Sequence, residues 1–198
     1  MVKVLITCPP MLKQIERYRS LFEEHDIEIH TPNVEQTLSE QILFGLIPNY
    51  DGWIVGDDPV TENVVASGRS GRLRGIVKWG VGTDNVDFEA CRKYGVKVSN
   101  TPGMFGEEVA DLAICYLIML SRHVLEIDNS VKSGGWSKVT GSSLQNKKLC
   151  LVGFGDIGRS IARRLVSMKI DVWVSDPGFE IINGRVVCNY GHIEIDDS

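Results

Sequence analysis

The sequence predicts an α/β protein with two domains, and three features support this prediction. Its 198 residues exceed the roughly 100–150 residues of a typical single domain. Short runs rich in β-branched residues alternate with longer amphipathic segments, as in βα units around a parallel sheet. A glycine-rich loop at 153–158 separates an apolar strand from a helix, which is typical of a βαβ unit.

Five βα-type units are predicted in the first hundred residues. The strands are VKVLIT at 2–7, IEIHT at 27–31, DGWIVG at 51–56, GIVKWG at 75–80 and VKVSN at 96–100. The helices after the first four strands are predicted at 11–24, 34–46, 61–66 and 86–94. Thr61 and Asp84 have side chains that cap helix N-termini, so we expect them to start the third and fourth helices.

A long helix is predicted at 105–123, followed by a second one at 124–132. Apolar residues nearly encircle the first of these helices, so it needs burial on more than one side. One side would pack on its own domain and the other on a second subunit, or both would lie in a single core. The segment 133–146, rich in Gly and Ser, is the expected linker to the next strand.

The composition limits the classes of partner. A net charge of −5 and a pI near 5.4 give no attraction to nucleic acid or to an anionic membrane, so small molecules are the expected partners. The apolar stretch 109–120 is shorter than a bilayer span of about 20 residues. No metal-ligand motif stands out, and an odd number of cysteines without a CxxC pair predicts reduced thiols in a cytoplasmic protein. These are Cys8, Cys91, Cys115, Cys150 and Cys188.

The glycine loop predicts a dinucleotide site. Gly153 permits the tight turn, Gly155 lets the backbone approach a pyrophosphate, and Gly158 allows close packing of helix and strand. The helix beginning near Ile157 directs its free N–H groups at the phosphates. Asp176, at the end of the next strand, would accept hydrogen bonds from the adenosine ribose.

A carboxylate at position 176 would repel a 2′-phosphate, so the sequence favours NAD over NADP. The alternative for Asp176 is a cap at the strand end before Pro177 and Gly178. A second candidate site is Gly80-Val81-Gly82, where small residues at a strand's carboxyl end expose backbone N–H groups. It predicts an anion seat, with an ordinary βα turn as the alternative.

Together these motifs resemble the NAD-dependent D-isomer-specific 2-hydroxyacid dehydrogenases. The segments that carry the resemblance are KWGVGTDNVD, VSNTPG, EEVADLAICYLIMLSR, GGW and LVGFGDIGRSIARRL with VSDP. The resemblance implies a flavodoxin-like substrate domain at 1–100. It also implies the first part of a Rossmann-type doubly wound parallel sheet at 101–198, and a homodimer built through the 105–123 helix.

The resemblance also implies roles for single residues. Val81 and Gly82 would lie beside the substrate carboxylate and the nicotinamide, with Asn100 near the substrate. The residues implied around the cofactor pyrophosphate are Gly153, Gly155, Asp156, Ile157 and Gly158, with Asp176 on the ribose. Family members often have arginine where this chain has Asp156, so we expect weaker affinity for NAD.

Catalysis in this family depends on an arginine, a glutamate and a histidine that the resemblance places beyond residue 198. No catalytic residue is therefore assigned within the chain, and we expect the chain alone to be inactive. The four histidines are interpreted as surface or packing residues: His25, His30, His123 and His192. Asp57 and Asp58 stand where the animal phosphoglycerate dehydrogenases carry basic and hydroxyl residues, and they disfavour a substrate phosphate.

The leading hypothesis is an oxidoreductase that transfers a hydride between NAD(H) and a small 2-oxo or 2-hydroxy acid. A sheet of this type needs further strands after Asp176, so the sequence is expected to be the N-terminal portion of a longer dehydrogenase. One alternative is a non-catalytic dinucleotide-binding or dimerisation module, as in the family's corepressors. Another is an inactive truncated product.

Overall fold

The structure, a computed structural model, describes residues 1–182 and 185–188 of the chain. It contains two compact units, the first ending at Met104 and the second beginning at Phe105. This division falls a few residues after the expected boundary between residues 100 and 101. The functional roles of the two predicted domains stay predictions.

The first unit is a five-stranded parallel sheet with helices between the strands. Its strands lie in the order β2-β1-β3-β4-β5, the order of flavodoxin-like sheets, so the predicted fold class is confirmed. The elements are β1 (Val2–Ile6), α1 (Pro9–Leu12), α2 (Arg19–Glu24), β2 (Ile27–His30), α3 (Glu40–Leu46), β3 (Gly52–Val55), α4 (Glu62–Ser70), β4 (Gly75–Lys78), α5 (Phe88–Tyr94) and β5 (Lys97–Ser99).

The apolar runs of the sequence fill the core of this unit. Leu5 of β1 and Trp53 of β3 are fully buried beside the apolar faces of α3 and α4. A smaller cluster on the other side of the sheet contains Ile6 and Met11, with Phe22 of α2 packed against it. Because side chains alternate across a strand, neighbouring residues such as Leu5 and Ile6 contribute to different clusters.

Two predicted helices are shorter or less regular than expected. The segment predicted as one helix at 11–24 is divided into α1, a 3₁₀ turn at Ile15–Arg17 and α2. The helix predicted at 34–46 begins only at Glu40, after Ser39, whose hydroxyl accepts the N–H of Ile42. The N–H of Leu38 instead donates to the carboxylate of Asp58 at 2.6 Å, so a tertiary contact replaces the expected first turn.

One of the two predicted helix caps is confirmed and the other is wrong. The Thr61 hydroxyl accepts the N–H of Val64 at the start of α4. The helix predicted at 86–94 is α5, which begins two residues later than predicted. Its cap is Asp87 rather than Asp84. The carboxylate of Asp87 accepts the N–H of Ala90 at 2.8 Å.

The second unit contains α6 (Gly106–Ser121), α7 (Val124–Lys132), β6 (Lys148–Val152), α8 (Asp156–Ser167), β7 (Asp171–Ser175), β8 (Phe179–Ile182) and β9 (Arg185–Cys188). In the described part of the chain, β6 pairs in parallel with β7, while β8 and β9 form a separate antiparallel pair. Each helix at residues 1–182 and 185–188 is too short or too polar to cross a bilayer.

Helices α6 and α8 are joined by ion pairs along their contact. Glu107 of α6 accepts hydrogen bonds from the Ser160 hydroxyl at 2.8 Å and from Arg163 at 2.6 Å. Arg164 pairs with Glu107 at 2.8 Å and with Asp111 at 2.7 Å. These bonds hold the pKa of the Glu107 carboxyl below its usual value, and they fix the helix that follows the glycine loop.

We expect the variant Asp87→Ala to lower the free energy of unfolding by about 1 kcal/mol, because it removes the cap of α5. Asp84→Ala is the matched control: its carboxylate makes no intramolecular hydrogen bond within the described residues, so its effect should be much smaller. Urea denaturation followed by circular dichroism measures both. Equal losses from the two variants would contradict the assignment of the cap to Asp87.

Candidate functional site

The loop Gly80-Val81-Gly82 follows β4 directly and is tied to the end of β5. The Thr101 hydroxyl accepts the N–H of Gly80 at 3.1 Å, and the Thr101 N–H donates to the Gly80 carbonyl at 3.0 Å. The side-chain amide of Asn100 donates to the Val81 carbonyl at 2.9 Å. Gly80 has a φ of +147°, which a residue with a side chain rarely adopts. The carbonyl groups of Gly80 and Val81 are therefore occupied, and the path of the loop is fixed.

The N–H groups of Val81 and Gly82 are left without an acceptor among the residues that the structure describes. Both residues are exposed, so these donors face solvent at the carboxyl end of the sheet. Backbone N–H groups in such a position suit a carboxylate or another small anion. The geometry is compatible with the predicted anion seat, and the roles of Val81, Gly82 and Asn100 toward a ligand stay predictions.

A buried lysine lies next to this loop. The side chain of Lys78, the last residue of β4, is only 6% exposed. Its ammonium donates to the Gly56 carbonyl at 2.6 Å and to the Asp57 carboxylate at 2.8 Å. Both acceptors lie just after β3, the neighbouring strand, so Lys78 connects the ends of two adjacent strands.

Asp58 has a different environment from Asp57, although the two residues are adjacent in the sequence. Asp58 is fully buried. Its carboxylate accepts the Thr7 hydroxyl at 2.6 Å and the Leu38 N–H at 2.6 Å, while the Trp53 indole donates to the Thr7 oxygen at 2.9 Å. Asp58 therefore holds these loops together. The expectation that the two aspartates disfavour a substrate phosphate stays a prediction.

These groups line a cleft of about 340 Å³, whose walls are formed by Asp57, Lys78, Trp79, Gly80, Gly82, Asp84 and Asn85. None of the three described histidines belongs to this lining. The residues at 1–182 and 185–188 contain no cluster of His, Cys, Asp and Glu able to hold a metal ion. The buried thiol of Cys91 has its pKa raised to about 11 by desolvation, so it is not a thiolate nucleophile at neutral pH.

The histidines lie elsewhere in the two units. His25 ends α2, and His30 on β2 hydrogen-bonds and stacks with Tyr50. His123 joins α6 to α7 with its ring 3.7 Å from Glu126. His192 lies outside the described residues. The contacts of His30 and His123 agree with their interpretation as surface or packing residues.

The glycine loop of the second unit connects β6 to α8. Gly153 has a φ of +94°, which makes the tight turn possible, and its N–H donates to the Ser175 carbonyl on β7 at 2.8 Å. A Cβ on Gly155 would meet no atom within 4 Å. A Cβ on Gly158 would overlap the Gly153 carbonyl oxygen and lie 3.0 Å from its carbon, so close packing requires glycine there.

Asp156 and Ile157 form the first turn of α8. The carboxylate of Asp156 turns toward the start of α6, where a Cβ on Gly106 would lie 2.9 Å from its Cγ. Negative charge is favourable at a helix N-terminus. The first turn of α8 therefore accommodates the Asp156 carboxylate. Ile157 is half-buried. Binding roles for both residues stay predictions.

Asp176 fixes the glycine loop from the end of β7. One carboxylate oxygen accepts the Phe154 N–H at 2.6 Å, and the other accepts the Gly178 N–H at 2.7 Å. These backbone bonds hold the pKa of the Asp176 carboxyl below its usual value, so it is ionised at neutral pH. Asp176 thus acts as a strand-end cap, as the alternative interpretation expects. Each of its carboxylate oxygens still has a lone pair that can accept a further hydrogen bond.

Sequence reasoning missed Thr101 and the pairing of Lys78 with Asp57. A signal was present, because Lys78 and Asp57 each stand at the carboxyl end of a predicted strand. These two strands are neighbours in the sheet, and the carboxyl ends of parallel strands meet at one edge. The strand order was needed to use that signal.

Comparison with known proteins gives a consistent result. Residues 4–190 match the family described as "D-isomer specific 2-hydroxyacid dehydrogenase, catalytic domain". The chain is 31% identical over 165 residues to a hydroxypyruvate reductase of Thermotoga maritima, covering 82% of this chain and 52% of that protein. It is 39% identical over 102 residues to a glyoxylate reductase of Thermococcus litoralis, covering 47% of this chain and 31% of the relative.

A solved structure shares the fold. The NAD⁺-bound 3-phosphoglycerate dehydrogenase of Entamoeba histolytica is 26% identical, with a TM-score of 0.71 over 89% of this chain and 54% of that one. The chain thus spans about half the length, or less, of these similar proteins.

The packing of the glycine loop predicts different effects at two of its positions. Gly158→Ala should lower the melting temperature of the second unit by several degrees, because the new methyl group overlaps the Gly153 carbonyl. Gly155→Ala is the control, since its methyl group enters open space. Differential scanning calorimetry measures both. A Gly158→Ala variant as stable as Gly155→Ala would disprove the close approach of helix and loop.

Proposed function

This chain belongs to the D-isomer-specific 2-hydroxyacid dehydrogenase family, and we propose that it serves an NAD-dependent oxidoreductase acting on a small 2-oxo or 2-hydroxy acid. In this proposal residues 1–100 form the substrate domain and 101–198 the first part of the NAD-binding domain. The observation that carries the proposal is the presence of an anion-compatible loop and a dinucleotide-type glycine loop in one family member.

The loop at 80–82 supports the substrate part of the proposal. The N–H groups of Val81 and Gly82 would bind the substrate carboxylate, and Asn100 would keep the loop in position through its bond to Val81. The substrate class is taken from the similar proteins, which are named as hydroxypyruvate and glyoxylate reductases. Both names refer to short 2-oxo acids.

The loop at 153–158 supports the cofactor part. Open space at Gly155 and the N-terminus of α8 suit a pyrophosphate, and the ionised Asp176 suits a ribose rather than a 2′-phosphate. When bound, NAD accepts or supplies the hydride at C2 of the substrate. The chain's own residues bind and orient: Val81 and Gly82 hold the carboxylate, and Gly153 to Gly158 hold the phosphates.

Oxidation of the 2-hydroxyl also requires a group that takes its proton, and reduction requires the same group to return it. No described histidine lies at the cleft after β4. We therefore place the family's arginine, glutamate and histidine outside this chain and propose that the 198 residues alone are inactive. The cytoplasmic location also stays a prediction.

The alternative, a non-catalytic dinucleotide-binding or dimerisation module, would use the same glycine loop without turnover. The two functions differ in one readout. Oxidation of NADH that depends on glyoxylate or hydroxypyruvate supports the enzyme, whereas NAD binding by the whole natural protein without turnover supports the module.

Binding of NAD tests the cofactor site. Titration calorimetry of the chain should detect NAD, and Asp156→Arg should bind it more tightly because an unfavourable charge near the pyrophosphate becomes favourable. Gly155→Ala should bind more weakly, since its methyl group enters the space required by the phosphates. An Asp156→Arg variant that binds NAD no more tightly would count against the placement of this residue.

The same samples give the control for catalysis. With NADH and glyoxylate, the 198-residue chain should show no turnover above the rate without protein. Turnover by the chain alone would refute the assignment of the catalytic groups to positions outside it.

The apolar face of α6 supports a homodimer through residues 105–123. Several large side chains of this face are exposed, among them Leu112, Tyr116 and Leu120, the last at 75%. With Leu125 of α7, Tyr116 and Leu120 also border an apolar cleft of about 420 Å³. A second copy of the chain would cover this surface.

Sedimentation measures the oligomeric state. The chain should sediment as a dimer, and Leu120→Glu should convert it to a monomer because it buries a charge in the interface. Leu21→Glu, at an exposed position of α2, is the control and should leave the dimer intact. Identical profiles for the Leu120→Glu variant and the unchanged chain would exclude this interface.

A further inference from the structure

The buried lysine at the candidate substrate cleft suggests how the site selects its substrate. We propose that Asp57 neutralises Lys78 and thereby makes the cleft selective for 2-hydroxy acids that carry no phosphate group. The proposal rests on the proposed function, because it assumes that the cleft beside Val81 and Gly82 takes the substrate.

Lys78 is a cation that the cleft could offer to a ligand. Lys78 lines the cleft together with Gly82, whose N–H group has no acceptor among the described residues. The side chain of Lys78 is buried, with only 6% exposed. Unlike a surface lysine, it therefore stays at the cleft rather than moving into solvent. A phosphorylated ligand would normally use such a charge.

Asp57 removes this charge from the ligand. One of its oxygens accepts the Lys78 ammonium at 2.8 Å, while the side chain as a whole is 80% exposed. The ammonium also donates to the Gly56 carbonyl at 2.6 Å. Two of the three N–H groups of the Lys78 ammonium thus donate to the loop after β3. In the ion pair of Lys78 and Asp57, the exposed partner is the Asp57 carboxylate.

The charges that line the cleft are therefore one cation and two carboxylates, those of Asp57 and Asp84. A substrate carboxylate carries one negative charge and can be held by the two backbone N–H groups. A phosphate monoester adds a charge of about −1.5 to −2 at neutral pH. It would meet two like charges and a lysine that is already paired.

The size of the cleft does not explain this selectivity. Its volume of about 340 Å³ lies within the roughly 300–1,000 Å³ of small-molecule pockets. Charge at Asp57, rather than steric exclusion, is therefore the selective element. Removing that charge while keeping Lys78 should change the preference.

The test compares two ligands that differ only in the phosphate group, D-glycerate and 3-phospho-D-glycerate. Each is titrated into the ¹⁵N-labelled 198-residue chain, and the amide shifts of Val81 and Gly82 give the two dissociation constants. The unchanged chain should bind D-glycerate at least as tightly as it binds 3-phospho-D-glycerate. In Asp57→Asn, 3-phospho-D-glycerate should bind about three- to tenfold more tightly relative to D-glycerate.

Two further variants identify the cause. Asp57→Asn combined with Lys78→Gln should lose the gain, because the unmasked cation is gone. Glu28→Gln removes a carboxylate of the edge strand β2 that pairs with Lys3 of β1, and the same change in net charge there should leave the preference unaltered. Asp57→Ser provides a second unmasked variant should Asp57→Asn fold poorly.

The outcomes separate this inference from the proposed function. If D-glycerate binds and the ratio of the two constants is the same in Asp57→Asn and Asp57→Ser, the role of Asp57 is refuted while the substrate site stands. If the gain persists without Lys78, the lysine is not the masked group and the proposal fails. If neither ligand shifts Val81 and Gly82 in any variant, the substrate site and this inference are refuted together.

Discussion

The loop structure of the first unit depends on hydrogen bonds between polar groups that are buried at the carboxyl edge of its parallel sheet. An unpaired buried polar group costs about 1–3 kcal/mol. Three buried polar side chains at this edge, those of Thr7, Trp53 and Asp58, avoid this cost by pairing with one another. The Thr7 oxygen accepts the Trp53 indole, and the Thr7 hydroxyl donates to the buried Asp58 carboxylate. The Asp58 carboxylate also accepts the N–H of Leu38. The loops after β1, β2 and β3 are therefore held together by hydrogen bonds to a single carboxylate.

That arrangement defines the position of the candidate substrate loop. Lys78 and Asn85 both donate to the Gly56 carbonyl, so the loop after β3 lies against the segment after β4. Thr101 fixes Gly80 from the other side. Because the Gly80 and Val81 carbonyls are hydrogen-bonded, the loop has a fixed path that leaves the N–H groups of Val81 and Gly82 without an acceptor among the described residues. Such preorganisation lowers the entropic cost of binding a small anion.

The glycine loop of the second unit depends on close steric fit. The absence of a Cβ at Gly158 allows α8 to contact the Gly153 carbonyl, and Asp176 closes the loop through the Phe154 N–H. The glycine spacing is visible in the sequence, and the structure gives Gly153 the tight turn and Gly158 the close packing expected for them. The sequence pattern was informative here because local backbone geometry depends on residues close together in the chain.

By itself, the sequence determined the alternation of strands and helices, the glycine loop and the bounds of α7, because periodicity and glycine spacing are local properties. Tertiary structure decided the rest. A contact to Asp58 shortened α3, and the cap of α5 proved to be Asp87. The two adjacent aspartates, equivalent in sequence, became a buried loop anchor and an exposed partner of Lys78. Their different roles arise from contacts between segments 20 or more residues apart, and only the strand order brings those segments together.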